Sequence, residues 1–388
     1  MQLIASLIVA TAAGALPVEL STLDGERHLG RLMQISPAAV TLEQESSPRE
    51  FPLSEVMDVR FTDVAATESN DAQTQQVVFV DGTKLGCGKV EIARQKAKLA
   101  TNRLAAIEAP VEVIASIQFQ STDAGLLEAW HQLLDRELKR DLLVIRKGNV
   151  LDHLDGIVGG INANAVVFVH DGEEIPVPIG KVFGVIYAGR KRIPAAPLCR
   201  IVVTGGDVLV ARRLSRVDTR THAELLCGAE VTLPEEKLAL IDFSLGKVRY
   251  LSEMEPREVK YTPFFDITWK YRRDQNLDGG PIRVGNREYT RGLSLHSRTY
   301  LRYRLAREYR RFRAVMGIDG VVGRRGDVHV VISGDQKPLL QADVRGSDAP
   351  REIDLDVTNV RDLEILVDFG GDLDIADHLD LADAKVIK

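Results

Sequence analysis

Between residues 16 and 251 the apolar positions recur in four registers. Pro52 is followed by Val56, Val59 and Phe61; Pro110 by Ile114, Ile117 and Phe119; Pro178 by Val182, Val185 and Tyr187; Pro234 by Leu238, Ile241 and Phe243. Each match reads Pro-x-x-x-aliphatic-x-x-aliphatic-x-aromatic and closes a unit of about 43 residues, the sign of an internal repeat. The units open on short apolar runs, Val18-Glu19-Leu20, Val77 to Val80, Leu143-Val144-Ile145 and Ile201-Val202-Val203. Turn residues follow each: Asp24-Gly25, Asp81-Gly82, Gly148-Asn149 and Gly205-Gly206-Asp207. A second glycine often comes next (Gly30, Gly86, Gly156), where a strand bends sharply or approaches another backbone. Short, half-polar strands in this order predict small, strongly bent barrels of the SH3-like or Sm-like kind, at residues 16–62, 77–120, 142–190 and 198–251. One such unit buries little, so neighbours are expected to pack together.

The pattern changes between the second and third units. Leu127, Trp130, Leu134 and Leu138 recur at helical spacing behind Asp123, a capping residue, and predict the one substantial helix near residues 123–140, within a linker at 121–141. Residues 63–76 and 191–197 read as polar or basic joints, and 252–263 leads to the last third of the chain.

There the alternation is period two. Leu301, Tyr303 and Leu305 point one way and Arg302 and Arg304 the other; 312–316, 328–332, 353–357 and 363–367 read the same way. Gly, Asp and Pro clusters fill the gaps, predicting a sandwich or barrel of antiparallel strands. Within it, Gly292-Leu293-Ser294-Leu295-His296-Ser297, the stretches 300–305 and 309–319, and the closing Asp377-His378…Ala382-Asp383-Ala384 together resemble the NPCBM/NEW2 domain, found beside family 98 glycoside hydrolases. The resemblance covers roughly residues 261–388. It implies a jelly-roll β-sandwich (galactose-binding-like) that binds sugars, commonly galactose-containing glycans, with a structural calcium in some members. One departure is Leu381, where the family usually carries Trp in its closing motif; that change bears on sugar stacking or on the shape of the loop.

Composition narrows the classes. The net charge of −6 argues against a nucleic-acid partner, which needs clustered positive charge. Aromatics are 5% of residues and only two are Trp, Trp130 and Trp269, lean for a sugar binder. Trp130 reads as a core anchor. Leu3 to Ala13 is too short to span a bilayer, and Ala13-Gly14-Ala15 offers a small-x-small cleavage pattern, although Lys and Arg are missing ahead of the apolar run. Residues 1–15 are therefore expected to be a secretory signal, placing the protein in the periplasm, on the cell surface or outside the cell. Cys87, Cys199 and Cys227 lack metal-ligand spacing; Cys199 and Cys227 either pair in an oxidising compartment or are buried hydrophobes, the reading favoured here.

No nucleophile elbow, phosphate loop or zinc motif is present, so the chain is expected to be non-catalytic. The carbohydrate-binding candidates are His296, Asp377, His378 and Asp380. Each histidine either meets sugar hydroxyls or locks strands and loops through internal hydrogen bonds. Asp372, Asp374 and Asp383, with Asp377 and Asp380, form an oxygen-rich cluster that either holds a hard cation or is a solvated acidic loop. Arg298, Arg302, Arg304, Arg307, Arg310, Arg311 and Arg313 either grip an anionic polysaccharide or pair with acids of the same domain. Two functions follow: an exported glycan binder whose repeats are spacers, or an envelope assembly protein that holds protein partners.

Overall fold

The computed structural model describes residues 16–62, 75–121, 124–189, 195–217, 219–263, 268–371 and 373–388. The expected signal segment, Asp123 and Asp372, and most of the joints at 63–76 and 191–197, lie outside them. The chain divides into two compact units, Met1–Leu245 and Gly246–Lys388, and it is mostly β.

Among the described residues, the first unit contains twenty strands in four sets of five. Set 1 comprises β1 (Pro17–Thr22), β2 (Arg27–Ile35), β3 (Ala39–Gln44), β4 (Ser47–Pro52) and β5 (Val56–Phe61); set 2 comprises β6 (Gln75–Phe79), β7 (Lys84–Ala93), β8 (Lys96–Thr101), β9 (Ile107–Pro110) and β10 (Ile114–Gln118). Helix α1 (Ala124–Leu134) precedes set 3, which comprises β11 (Asp141–Lys147), β12 (Val150–Ile161), β13 (Ala165–His170), β14 (Glu173–Pro178) and β15 (Val182–Ile186). Set 4 comprises β16 (Cys199–Val203), β17 (Val208–Val217), β18 (Arg220–Leu225), β19 (Glu230–Pro234) and β20 (Leu238–Asp242). In every set the strands meander antiparallel and the fifth returns to pair with the first. The repeated proline ends the fourth strand, where a missing N–H is tolerated. The long second strand is bulged in all four sets, which bends it around the small core. Gly30 and Gly156 mark close approaches: a Cβ would lie 2.7 Å from the Glu43 carbonyl oxygen at one and 2.4 Å from that of Val169 at the other.

The sets join in the spatial order 1-4-2-3. Closing strands pair across two of the joints, β5 with β20 and β10 with β15. At the centres lie Val59 opposite Ile241 and Ile117 opposite Val185, the same position of the repeated pattern in every set. The middle joint is different. Here β7 meets β17, with Lys84 opposite Val208. The Gly86 N–H donates to Asp207 Oδ1 (2.7 Å) and the Val210 N–H to Thr83 Oγ1 (3.0 Å), equivalent bonds about a local two-fold axis.

Helix α1 is shorter than the predicted stretch; of the four residues at helical spacing, Trp130 is buried, Leu134 and Leu138 pack against its cluster, and Leu127 alone faces out. Leu126, Trp130 and Leu133 are buried while Leu127 is exposed; Trp130 packs edge-on against Phe183 with Leu142, Val144 and Ile186. The three cysteines are buried and unbridged, and burial pushes the Cys87 thiol up to about 12.

The second unit is the jelly-roll sandwich. Its strands are β21 (Val248–Tyr250), β22 (Glu258–Tyr261), β23 (Arg272–Arg273), β24 (Ile282–Val284), β25 (Arg287–Tyr289), β26 (Gly292–Leu295), β27 (Thr299–Arg304), β28 (Arg311–Ile318), β29 (Asp327–Gly334), β30 (Lys337–Arg345), β31 (Arg351–Asp356), β32 (Asp362–Phe369) and β33 (Leu379–Ile387). One sheet runs β23-β26-β33-β28-β31 with β21 also on β33, and the other runs β22-β27-β32-β29-β30. Leu301, Tyr303, Phe312, Met316, Val330, Ile332 and Ile365 are among the side chains buried between them, and the alternation read from the sequence is the alternation of the two faces.

Candidate functional site

The two closing landmarks of the sandwich meet through strand register. Leu293 pairs with Leu381, Ser294 with Asp380 and Leu295 with Leu379. His296 is the residue after β26 and His378 the residue before β33, so they emerge side by side at one sheet end. Their ring centroids are 5.9 Å apart. The indole of Trp269, ahead of β23, lies parallel to His296 at 5.2 Å and 7°, and meets His378 edge-on at 5.2 Å. Tyr261 meets His296 edge-on at 6.5 Å. Both histidines are buried and Trp269 is half-buried over them.

Burial lowers the pKa of both imidazoles, helped at His296 by its neighbour His378 and opposed at His378 by Asp278 and Asp319. They are therefore neutral at physiological pH, each with one N–H and one lone pair. His378 Nδ1 has no hydrogen-bond partner among the described residues. Beside the cluster, Tyr261, Trp269, Tyr271, Val259 and Thr299 line a groove of about 520 Å³. Arg273 closes one side, held by a two-pronged ion pair to Glu255 (2.7 Å) and by the Tyr271 hydroxyl.

The aspartates sit deeper. Asp380 is fully buried; the Ser294 hydroxyl donates to its Oδ1, and Asp319, also fully buried, lies close to the carboxyl group. Asp319 accepts the N–H groups of Val321 (2.7 Å) and Arg283 (3.3 Å). Burial, with the second carboxylate next to it, raises the Asp380 pKa well above the ordinary range. Asp377 is fully buried and accepts the Asp327 N–H at 3.2 Å. Of the four predicted sugar contacts, the structure brings the two histidines together beneath Trp269, buried beside the groove, and sets the two aspartates deeper still.

Of the oxygen-rich cluster, Asp383 pairs with Lys385 (2.7 Å) and Asp374 stands half-buried in the preceding loop; no set of three metal-type side chains gathers among the described residues. Five of the seven arginines are spent on ion pairs within the sandwich, Arg298 with Asp368, Arg302 with Glu258, Arg304 with Asp362, and Arg311 and Arg313 both with Asp354. Leu381 is fully buried in the core, so the departure from the family pattern falls on packing, not on a ligand face. Sequence reasoning missed Trp269. Its signal was position: one of two tryptophans, outside every periodic segment, next to Tyr271.

Residues 247–387 match the model of the NPCBM/NEW2 domain. No curated protein matches the chain. Among solved structures, the chain is similar to the CBM51-2 and INT domains of Clostridium perfringens ZmpB, at 23% identity and TM-score 0.34, over 37% of this chain and 32% of that one. It is similar also to the CBM51 of a Clostridium perfringens GH95 in complex with methyl-galactose, at 21% identity and TM-score 0.33, over 36% of this chain and 99% of that one. A third is the tandem CBM51 modules of Sp3GH98, the family 98 glycoside hydrolase of Streptococcus pneumoniae, at 12% identity and TM-score 0.32, over 95% and 88%. The chain thus spans about a third of the length of the first of these.

Proposed function

We propose that the sandwich of residues 246–388 is a non-catalytic glycan-binding module of an exported protein, and that the four barrel units before it serve as spacer and docking surface. The observation that carries this reading is the stack of Trp269, His296 and His378 beside an aromatic-walled groove, in a domain whose family is associated with carbohydrate binding. A pyranose offers one apolar C–H face and a ring of hydroxyls. The indole takes the first, the polar groups of Tyr261, Thr299 and Arg273 along the groove take the second, and the two imidazoles beneath hold the indole in place. Asp377 and Asp380 act at one remove, by fixing the backbone that presents His378 and His296. Because most of the arginines are already paired, a neutral galactose-type sugar suits the site better than an anionic polysaccharide. Export rests on the apolar run Leu3–Ala13 ahead of Ala13-Gly14-Ala15; among the described residues no helix is long and apolar enough to cross a membrane.

Calorimetric titration with methyl-galactoside and N-acetylglucosamine tests the module. Removing the stacking surface in Trp269→Ala is expected to cost about 2 kcal/mol, roughly thirty-fold in Kd. Equal affinity in the variant, or no binding of any neutral sugar by the intact protein, would count against this site. In the latter case the envelope-assembly reading, with protein partners, takes its place.

A further inference from the structure

The barrel array contains the pattern for its own extension. Joints alternate along it: closing strands (1·4), second strands (4·2), closing strands (2·3). The next joint in the series is second strand to second strand, and the outer sets 1 and 3 each have that edge to offer.

Register identifies the equivalent residues. The first-strand residue that pairs with the central position of the closing strand is Leu20, Val77, Leu143 or Ile201. Opposite these on the second strands lie His28, Leu85, Leu154 and Leu209. Leu85 and Leu209, inside the 4·2 joint, are fully buried, whereas Leu154 is 40% exposed. One residue further on, Gly86 and Val210 are buried and donate across the joint, while the equivalent Leu29 is 68% exposed.

The two free ends are not alike. At set 3 the hairpin is a tight two-residue turn, Leu151 packs under α1, and Arg136 just beyond the helix meets His153 at 2.8 Å, so that end is capped. Set 1 has no such cap among the described residues. Its turn is that of the joined sets, with Thr22 N–H bonded to Glu26 O as Phe79 is to Thr83 and Val203 to Asp207. Residues 27–30 precede the pairing of β2 with β3, so this stretch has an open edge, touched by the Gln44 side chain, which donates to the Leu29 carbonyl at 2.7 Å.

We infer that a second copy of this chain docks there, set 1 against set 1 about a true two-fold axis, repeating the local two-fold of the 4·2 joint. Arg27 then stands opposite its own mate, as Lys84 stands opposite Val208. Glu26 takes the acceptor role of Asp207 and Thr83, receiving the Leu29 N–H of the other copy. It also comes opposite His28, and Leu29 is covered. Arg27 is already paired with Glu19 at 3.5 Å, which moderates the meeting of two arginines. An isologous contact closes after two copies, so the product is a dimer and not a fibre. The edge is short and the complex belongs to the weak, small-interface class.

The test is sedimentation of the full chain from low to high micromolar concentration, together with a covalent trap. The native cysteines are buried, so Arg27→Cys is expected to give disulfide-linked dimers on mild oxidation, while Glu50→Cys, exposed elsewhere on set 1, stays monomeric. Leu29→Asp, at a solvent-facing position that leaves the core intact, is expected to abolish the concentration-dependent mass. A chain that stays monomeric throughout, with the Arg27→Cys variant unlinked, overturns the inference. So does a dimer that survives Leu29→Asp, since another surface would then hold it.

Discussion

Replacing Asp380 with asparagine probes the buried acid pair directly. If Asp380 keeps a proton and shares it with Asp319, the amide introduced by Asp380→Asn can reproduce the arrangement, its NH₂ donating to Asp319 and its oxygen accepting from Ser294. The expected loss of stability near neutral pH is under about 1 kcal/mol, whereas Asp380→Ala strands two buried polar groups and costs about 1–3 kcal/mol for each. The pH dependence is the sharper readout. The folded pKa of Asp380 lies above its unfolded value, so its contribution is fully present below 3.8 and is lost as pH rises through the folded value. Within that window wild-type stability falls by about 1.4 kcal/mol per pH unit through this group, and in Asp380→Asn this fall is absent. Urea unfolding at a series of pH values in a Trp130→Phe background lets Trp269 report on the sandwich alone. Wild-type and Asp380→Asn curves running parallel across the range would mean that Asp380 is an ordinary ionised carboxylate and that the shared proton does not exist.

Two further outcomes follow from the geometry. The imidazole signals of His296 and His378 should titrate below 6.5 in proton NMR; because their folded pKa values are depressed, the stability they contribute is present above 6.5 and lost as pH falls through the lowered values. Gly184 lies in the closing-strand joint of sets 2 and 3, where a Cβ would stand 2.6 Å from the Ile117 carbonyl oxygen and 2.8 Å from the Trp130 ring. Gly184→Ala should therefore destabilise the barrel array by about 1–3 kcal/mol, measured by thermal unfolding.

The strands were legible because a half-buried sheet writes its two faces into alternate residues. Leu301 and Tyr303 against Arg302 and Arg304 is the clearest instance. The repeated proline, aliphatic and aromatic spacing was legible for a related reason, since one closing strand must satisfy the same small core in every set. What the spacing could not carry was partnership: nothing in Val59 or Ile241 says that they face each other rather than a neighbouring set. Helix α1 shows the same limit, since Leu126 and Leu127 are equally apolar, yet the first is buried and the second exposed. At the site, His296 and His378 stood out through their landmarks. Trp269 did not, because its role comes from a loop folding back over residues distant in sequence. The burial of Asp377 and Asp380 was not legible, because acidic side chains near a loop look alike whether they face a ligand or a buried neighbour.

The pairing of the first set with the fourth has a consequence during synthesis. Strand β5 leaves the ribosome long before β20, about 180 residues later, so its outer edge waits uncovered while the intervening sets emerge. A strand edge left open for that long invites association with other nascent chains. Maturation of this protein is accordingly expected to be slow, intolerant of truncation before residue 242, and dependent on whatever shields β5 until its distant partner arrives.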